Sequence, residues 1–205
     1  MPVKLTDQIS DQRGSIQRIA IIGAGRLGRA FAYLCAARGL DVVLEDVLPS
    51  NLREAQAGFA ELAAAQSIQN KISFAASIEE AVREADLVID FVPDELESKL
   101  EIFSLVDRMA PPKTILCTPS DALSITDLAS CTYRADRCVA VQTGDGGKTL
   151  TEATQVRVLH SSKTSPQTLA VVSEFWRALG KEPLLLADPA EPMLTRNIEA
   201  GNRSR

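Results

Sequence analysis

Residues 19 to 28 read I-A-I-I-G-A-G-R-L-G, a short apolar run that ends on glycines spaced G-x-G-x-x-G at Gly23, Gly25 and Gly28. The run Ile19 to Ile22 has the continuously apolar character of a strand buried on both faces. Leu27, Ala30, Phe31 and Leu34 then recur at helical spacing, and Gly39 follows where a helix C-terminus takes glycine. A strand that turns through glycines straight into a helix brings the helix's open N–H groups to the strand's end, an anion site. Gly23 permits the tight turn, Gly25 lets backbone approach a pyrophosphate, and Gly28 lets helix and strand pack closely. An acid is expected about 20 residues further on, at the end of the second strand. Asp46 stands there, with Glu45 beside it. A carboxylate at that place accepts hydrogen bonds from ribose 2′- and 3′-hydroxyls and repels a 2′-phosphate, so NAD is expected over NADP. The plainer alternative is a glycine turn followed by a solvated Asp46. The coincidence of strand, spacing, helix and acid favours the dinucleotide cradle.

The rest of the chain alternates in the same way. Strands are expected at Val42 to Leu44, Ile72 to Ala75, Leu87 to Val92, Thr114 to Cys117, Cys138 to Gln142, Val156 to Leu159 and Leu184 to Ala187. Between them, Asn51 with Glu54 reads as a capping box ahead of a face made by Leu52, Ala55, Phe59, Leu62 and Ala63. Ser77 with Glu80 and Ser124 with Asp127 open short helices, and a helix through Leu96, Leu100, Phe103 and Val106 stops at Pro111-Pro112. Ser165-Pro166 is an N-cap with first-turn proline, opening a helix through Leu169, Val172, Phe175, Trp176 and Leu179 to Gly180, whose aromatic stripe is expected to pack on the sheet. Continuous apolar strands alternating with helices predict an α/β fold with a doubly wound, mostly parallel sheet of Rossmann type. The expected organisation is a mobile segment at 1–17, the NAD-binding domain at 18–196 and a fraying tail at 197–205.

Composition narrows the function. A net charge of -5 over 205 residues argues against a nucleic-acid or anionic-membrane partner. The start of the chain is polar, so a cytoplasmic location is expected. Cys35, Cys117, Cys131 and Cys138 have no CxxC spacing and read as reduced thiols, buried at Cys35 and Cys117; no metal site is legible. There is one histidine, His160.

Five stretches carry a family resemblance: the glycine loop, A-D-L-V-I-D-F-V-P-D-E-L-E-S-K at 85–99, A-P-P-K-T-I-L-C-T at 110–118, A-L-S-I-T-D-L-A at 122–129 and L-G-K at 179–181. In this order, over roughly residues 18 to 196, the chain resembles the NAD-binding domain of 3-hydroxyacyl-CoA dehydrogenases. The resemblance implies a nicotinamide cofactor, an acyl-CoA or smaller hydroxy substrate and a place in fatty-acid metabolism. It implies cofactor contacts from Gly23, Ala24, Gly25, Arg26, Leu27 and Gly28, from Asp46, from Phe91 and Val92, and from Asp94 and Lys99 near the nicotinamide half. Read from the residues themselves, Asp94 and Lys99 stand at a strand's C-terminal end and the next helix start, where doubly wound folds place ligands; an exposed pair on a helix face is the alternative.

The departures bear on chemistry. Gln142 stands where the family's catalytic histidine would be, and glutamine has no titratable nitrogen with which to act as a general base. Arg157 falls at the position of the glutamate that orients that histidine, and Glu152 fits there only if gaps are moved. Asp121 takes the place of a serine, with Ser120 one residue off, and Thr195 that of an asparagine, before Arg196. His160 falls several residues away at a strand end and reads as a surface histidine. The family continues into a dimerising helical domain, and T-R-N-I-E-A-G-N-R-S-R occupies the place where it would begin, so a monomer or weak homodimer is expected. Two readings follow. One is an NAD(H)-binding, dehydrogenase-like domain whose 3-hydroxyacyl-CoA oxidation is weak or lost. The other is an NAD-dependent oxidoreductase of secondary alcohols with a rewired site, in which Asp121, Glu152 or His160 handles the proton. The loop Gly144-Asp145-Gly146-Gly147-Lys148 is expected at the mouth of that site.

Overall fold

The computed structural model of the chain describes residues 15–66, 72–143 and 148–188. Its strands are β1 (Arg18–Ile22), β2 (Asp41–Glu45), β3 (Ile72–Ala75), β4 (Leu87–Asp90), β5 (Ile115–Pro119), β6 (Cys138–Thr143), β7 (Gln155–His160) and β8 (Glu182–Ala187). Its helices are α1 (Arg26–Ala37), α2 (Pro49–Gln66), α3 (Ile78–Val82), α4 (Leu96–Met109), α5 (Ile125–Ser130) and α6 (Pro166–Ala178). The strands make one sheet in the order β3-β2-β1-β4-β5-β6-β7-β8. The first six are parallel, β7 runs antiparallel to β6, and β8 is parallel to β7. The mostly parallel, doubly wound expectation therefore holds. The order reverses between β1 and β4, and that is where such a sheet opens a crevice beyond its strand C-termini.

Burial explains why the strands read as unbroken apolar runs. On β1, Ile19 and Ile21 face one core with α1, α2 and α6, while Ala20 and Ile22 face a second core with α3, α4 and α5. Every β4 residue is buried. The first core centres on Phe31, whose ring centroid lies 5.5 Å from that of Phe91 and 5.7 Å from that of Trp176, with Phe175 a further 5.1 Å beyond Trp176. The stripe of α6 is thus core, as expected, and burial of Phe31 alone contributes roughly 1.5–3 kcal/mol.

Local rules explain most boundaries. Ser77, Ser124 and Ser165 accept from the backbone N–H groups of Glu80, Asp127 and Thr168 at 3.3, 3.3 and 3.1 Å. Gly39 and Gly180 close α1 and α6 with φ of 86° and 78°. Two expectations need correction. Helix α2 begins at Pro49, not at an Asn51 cap, because proline's fixed φ suits a first turn and Asn51 spends its side chain elsewhere. Strand β4 ends at Asp90 rather than Val92, because the chain turns away ahead of Pro93. The expectations for Thr195, Arg196, the 197–205 tail, Gly144–Gly147 and all but residues 15–17 of the N-terminal segment lie outside the described residues.

The tightest contact is at Gly28, where an added Cβ would stand 1.9 Å from the Gly23 carbonyl oxygen. Gly28→Ala is therefore expected to cost on the order of 3 kcal/mol. Gly25→Ala, with nothing within 4 Å of its Cβ, should cost at most about 1 kcal/mol through the helix cap. Denaturant midpoints of the two variants check this, and equal losses would contradict it.

Candidate functional site

The glycine loop has the shape a dinucleotide needs. Gly23 turns with φ of 98° and donates its N–H to the Glu45 carbonyl at 2.8 Å, tying the loop to the end of β2. Gly28 lets α1 lie against that turn, and Gly25 is the N-cap of α1 with no side chain covering it. The first-turn N–H groups of α1 thus open onto space that any Cβ at residue 25 would begin to fill, which suits a pyrophosphate. Ala24 is buried, while Arg26 and Leu27 are exposed beside the opening.

Asp46 closes the other side. It is buried, and its Oδ2 accepts from the Ala24 N–H at 2.8 Å and the Asn51 Nδ2 at 2.9 Å. Its Oδ1 accepts from the Leu48 N–H at 2.8 Å. The carboxylate therefore also splints the glycine loop, a role the sequence does not display. Glu45, adjacent and buried, has its carboxyl pushed up to about 7, first by burial and then by the charge of Asp46.

A cleft of about 580 Å³ continues from the loop across the C-terminal ends of β4, β5 and β6. Phe91, Val92 and Asp94 line it, with Ser120, Asp121 and Gln142 on its far side. Lys99 does not. Its ammonium lies beneath the cleft, 2.7 Å from Asp90 Oδ1, with both side chains almost fully buried. Burial pushes the Asp90 carboxyl up, opposed by Lys99 and by the Thr118 hydroxyl. Lys99 therefore tethers the first turn of α4 to the end of β4 rather than presenting a charge in the cleft lining.

The register of β6 and β7 pairs Gln142 with Arg157. Opposed residues of an antiparallel pair project to the same side with Cβ atoms about 5 Å apart, so Arg157 stands beside Gln142, which lines the cleft. Glu152 does not share that position. Its carboxylate accepts from the Thr149 N–H and hydroxyl at 2.9 and 2.8 Å, and these bonds hold it below its ordinary value. Asp121 stands exposed at the mouth, its N–H donating to Asp94 Oδ2 at 3.1 Å. Ser120 is buried in the wall, where its Oγ accepts from the Leu123 N–H at 2.9 Å. His160 pairs with Val139, three residues back along β6 from Gln142. At about 3.3 Å per residue it is ~10 Å from the cleft end of the sheet, and it cannot serve there. The opposite wall, at Thr149 to Thr151, is held by the buried Lys181, whose ammonium donates to the Thr151 and Ala153 carbonyls at 3.2 and 2.7 Å. L-G-K was its only signal in the sequence. Among the described residues, no group of three His, Cys, Asp or Glu side chains could hold a metal ion.

The raised Glu45 carboxyl makes stability depend on pH. The folded state binds that proton more tightly than the unfolded chain, whose ordinary value is 4.5. Its contribution is complete below that value and is lost as pH rises through about 7. Denaturant midpoints should therefore fall for the unmodified protein between about pH 5 and 7.5, and fall less for Glu45→Gln. Parallel pH profiles would contradict the burial of a titrating carboxyl at this place.

Residues 18–189 match the model for the NAD binding domain of 3-hydroxyacyl-CoA dehydrogenase. A Bacillus subtilis protein named a probable 3-hydroxybutyryl-CoA dehydrogenase is 29% identical over 185 residues, covering 84% of this chain and 63% of that protein. The 5-formyl-3-hydroxy-2-methylpyridine 4-carboxylate 5-dehydrogenase of Mesorhizobium japonicum is 28% identical over 183 residues, covering 83% of this chain and 57% of that protein. Among solved structures, a diketoreductase superimposes with a TM-score of 0.75 and 28% identity, over 91% of this chain and 70% of that one. The chain thus spans 57% to 63% of the length of these two curated relatives. The match runs from β1 to beyond β8, and NAD is the cofactor it indicates: the chain belongs to the 3-hydroxyacyl-CoA dehydrogenase family through that family's NAD-binding domain.

Proposed function

We propose that this chain binds NAD(H) in preference to NADP(H), and that its oxidation of 3-hydroxyacyl-CoA is weak or lost. The observation that carries the second statement is the pairing of Gln142 with Arg157 at the edge of the cleft. Bound NAD supplies a hydride acceptor. The protein must then take the hydroxyl proton, and neither of the paired residues can: an amide has no basic nitrogen, and a guanidinium is a donor only. The preference for NAD rests on Asp46, a carboxylate at the end of β2 that accepts a hydrogen bond from a ribose hydroxyl and repels a 2′-phosphate.

A second reading retains one specific support. Asp121 is a carboxylate in the cleft lining, so an oxidoreductase with a rewired site would use it as the base. Glu152 is engaged by Thr149, and His160 lies at the far end of its strand, so this reading narrows to Asp121. Relatives named for a pyridine carboxylate and for diketones support a small hydroxy or carbonyl compound as its substrate. Among the described residues, no helix is long and apolar enough to cross a membrane.

Calorimetric titration should show NAD binding more tightly than NADP. Asp46→Ala should weaken NAD by about tenfold or more and narrow the preference, since a hydrogen bond to a charged group contributes about 1.5–3 kcal/mol. Tighter binding of NADP to the unmodified protein would overturn the role of Asp46. In an NADH absorbance assay with 3-hydroxybutyryl-CoA, turnover should be near background, because a general base contributes about 10²–10⁴-fold. Gln142→His alone should recover little while it faces Arg157, and adding Arg157→Glu should raise the rate above either single change. Robust turnover by the unmodified protein, abolished in Asp121→Asn, would replace the first reading with the second.

A further inference from the structure

The carboxylate that selects the nucleotide is nearly saturated before any nucleotide arrives. A carboxylate offers about four lone-pair sites. At Asp46 three are taken by the Ala24 N–H, the Leu48 N–H and the Asn51 amide, at 2.8, 2.8 and 2.9 Å. One site remains, on Oδ1. An adenosine ribose presents two adjacent hydroxyls, so Asp46 as held can accept only one of them. The other needs a second acceptor.

Asn51 supplies it. The Asn51 amide gives its nitrogen to Asp46 Oδ2 and so turns its carbonyl oxygen away. That oxygen has no hydrogen-bond donor among the described residues. Asn51 is half-buried in the first turn of α2, which follows β2 directly at the cradle end of the sheet. Its exposed neighbours Val47 and Leu48 offer apolar side chains and no side-chain acceptor. We propose that Asn51 is a ribose-binding, specificity-determining residue, its amide carbonyl accepting the ribose hydroxyl that Asp46 cannot. The proposal rests on NAD binding at Asp46. It makes the selecting element a carboxylate–amide pair that accepts two hydroxyls, and an acceptor at this place gives no donor to a 2′-phosphate.

A residue that only propped Asp46 would affect every adenine nucleotide alike, whereas one that bonds the ribose acts only when the hydroxyls are present. The test is therefore titration of ADP and of 2′,3′-dideoxy-ADP against the unmodified protein and Asn51→Ala. Asn51→Ala should weaken ADP about 3- to 10-fold, the scale of one hydrogen bond, and change dideoxy-ADP less than about twofold. Equal weakening of both probes, or undiminished ADP binding, overturns the proposal while leaving the NAD reading intact. Failure of the unmodified protein to bind either NAD or ADP overturns both. Should Asn51→Ala not fold, Asn51→Gln, which displaces the amide by one methylene, is expected to give the same contrast between probes, with the same result counting against it.

Discussion

The site depends on how closely α1 is drawn against the turn that follows β1. At Gly28 there is no room for a single methyl group, because the Gly23 carbonyl oxygen occupies its place. That approach sets the N-terminus of α1 over the end of β1 and leaves Gly25 open to a phosphate. The same turn then makes two bonds to the end of β2, from the Gly23 N–H to the Glu45 carbonyl and from the Ala24 N–H to Asp46. The glycine loop and the end of β2 are therefore one mechanical unit. A change at Asp46 reaches the glycine loop, and one at Gly28 reaches the end of β2.

Much of this was legible in the chain. Apolar runs three to six residues long, separated by helical stripes, sufficed for the sheet, most clearly at β1 and β4, because strands covered on both faces must be apolar throughout. The glycines could be assigned individually, because each answers a local demand of turn, approach or packing. Side chains whose partners are distant in sequence were not legible. Lys99 reads as a charge near the nicotinamide and is instead buried against Asp90, a contact that only the meeting of β4 with α4 creates. Asn51 reads as a helix cap, yet proline two residues earlier starts the helix and frees its amide for Asp46. His160 and Arg157 needed the antiparallel register, which sends the histidine to the far end of the sheet and sets the arginine opposite Gln142.

The two halves of the cleft differ in character. The nucleotide half keeps a complete set of features, from the open helix end to a carboxylate held by three donors. In the other half an amide and a guanidinium stand paired, and the lining carboxylates of Asp94 and Asp121 sit exposed at the mouth. We propose an intact cradle facing a wall that offers the nicotinamide no well-placed base, and a crystal structure with NAD bound decides the matter. The pyrophosphate is expected against Gly25, the adenosine ribose on Asp46, and the nicotinamide beside Phe91 with Gln142 across from it. A dinucleotide seated away from the glycine loop would contradict the cradle, and an Asp121 carboxylate turned in beside the hydride-accepting carbon would contradict the missing base.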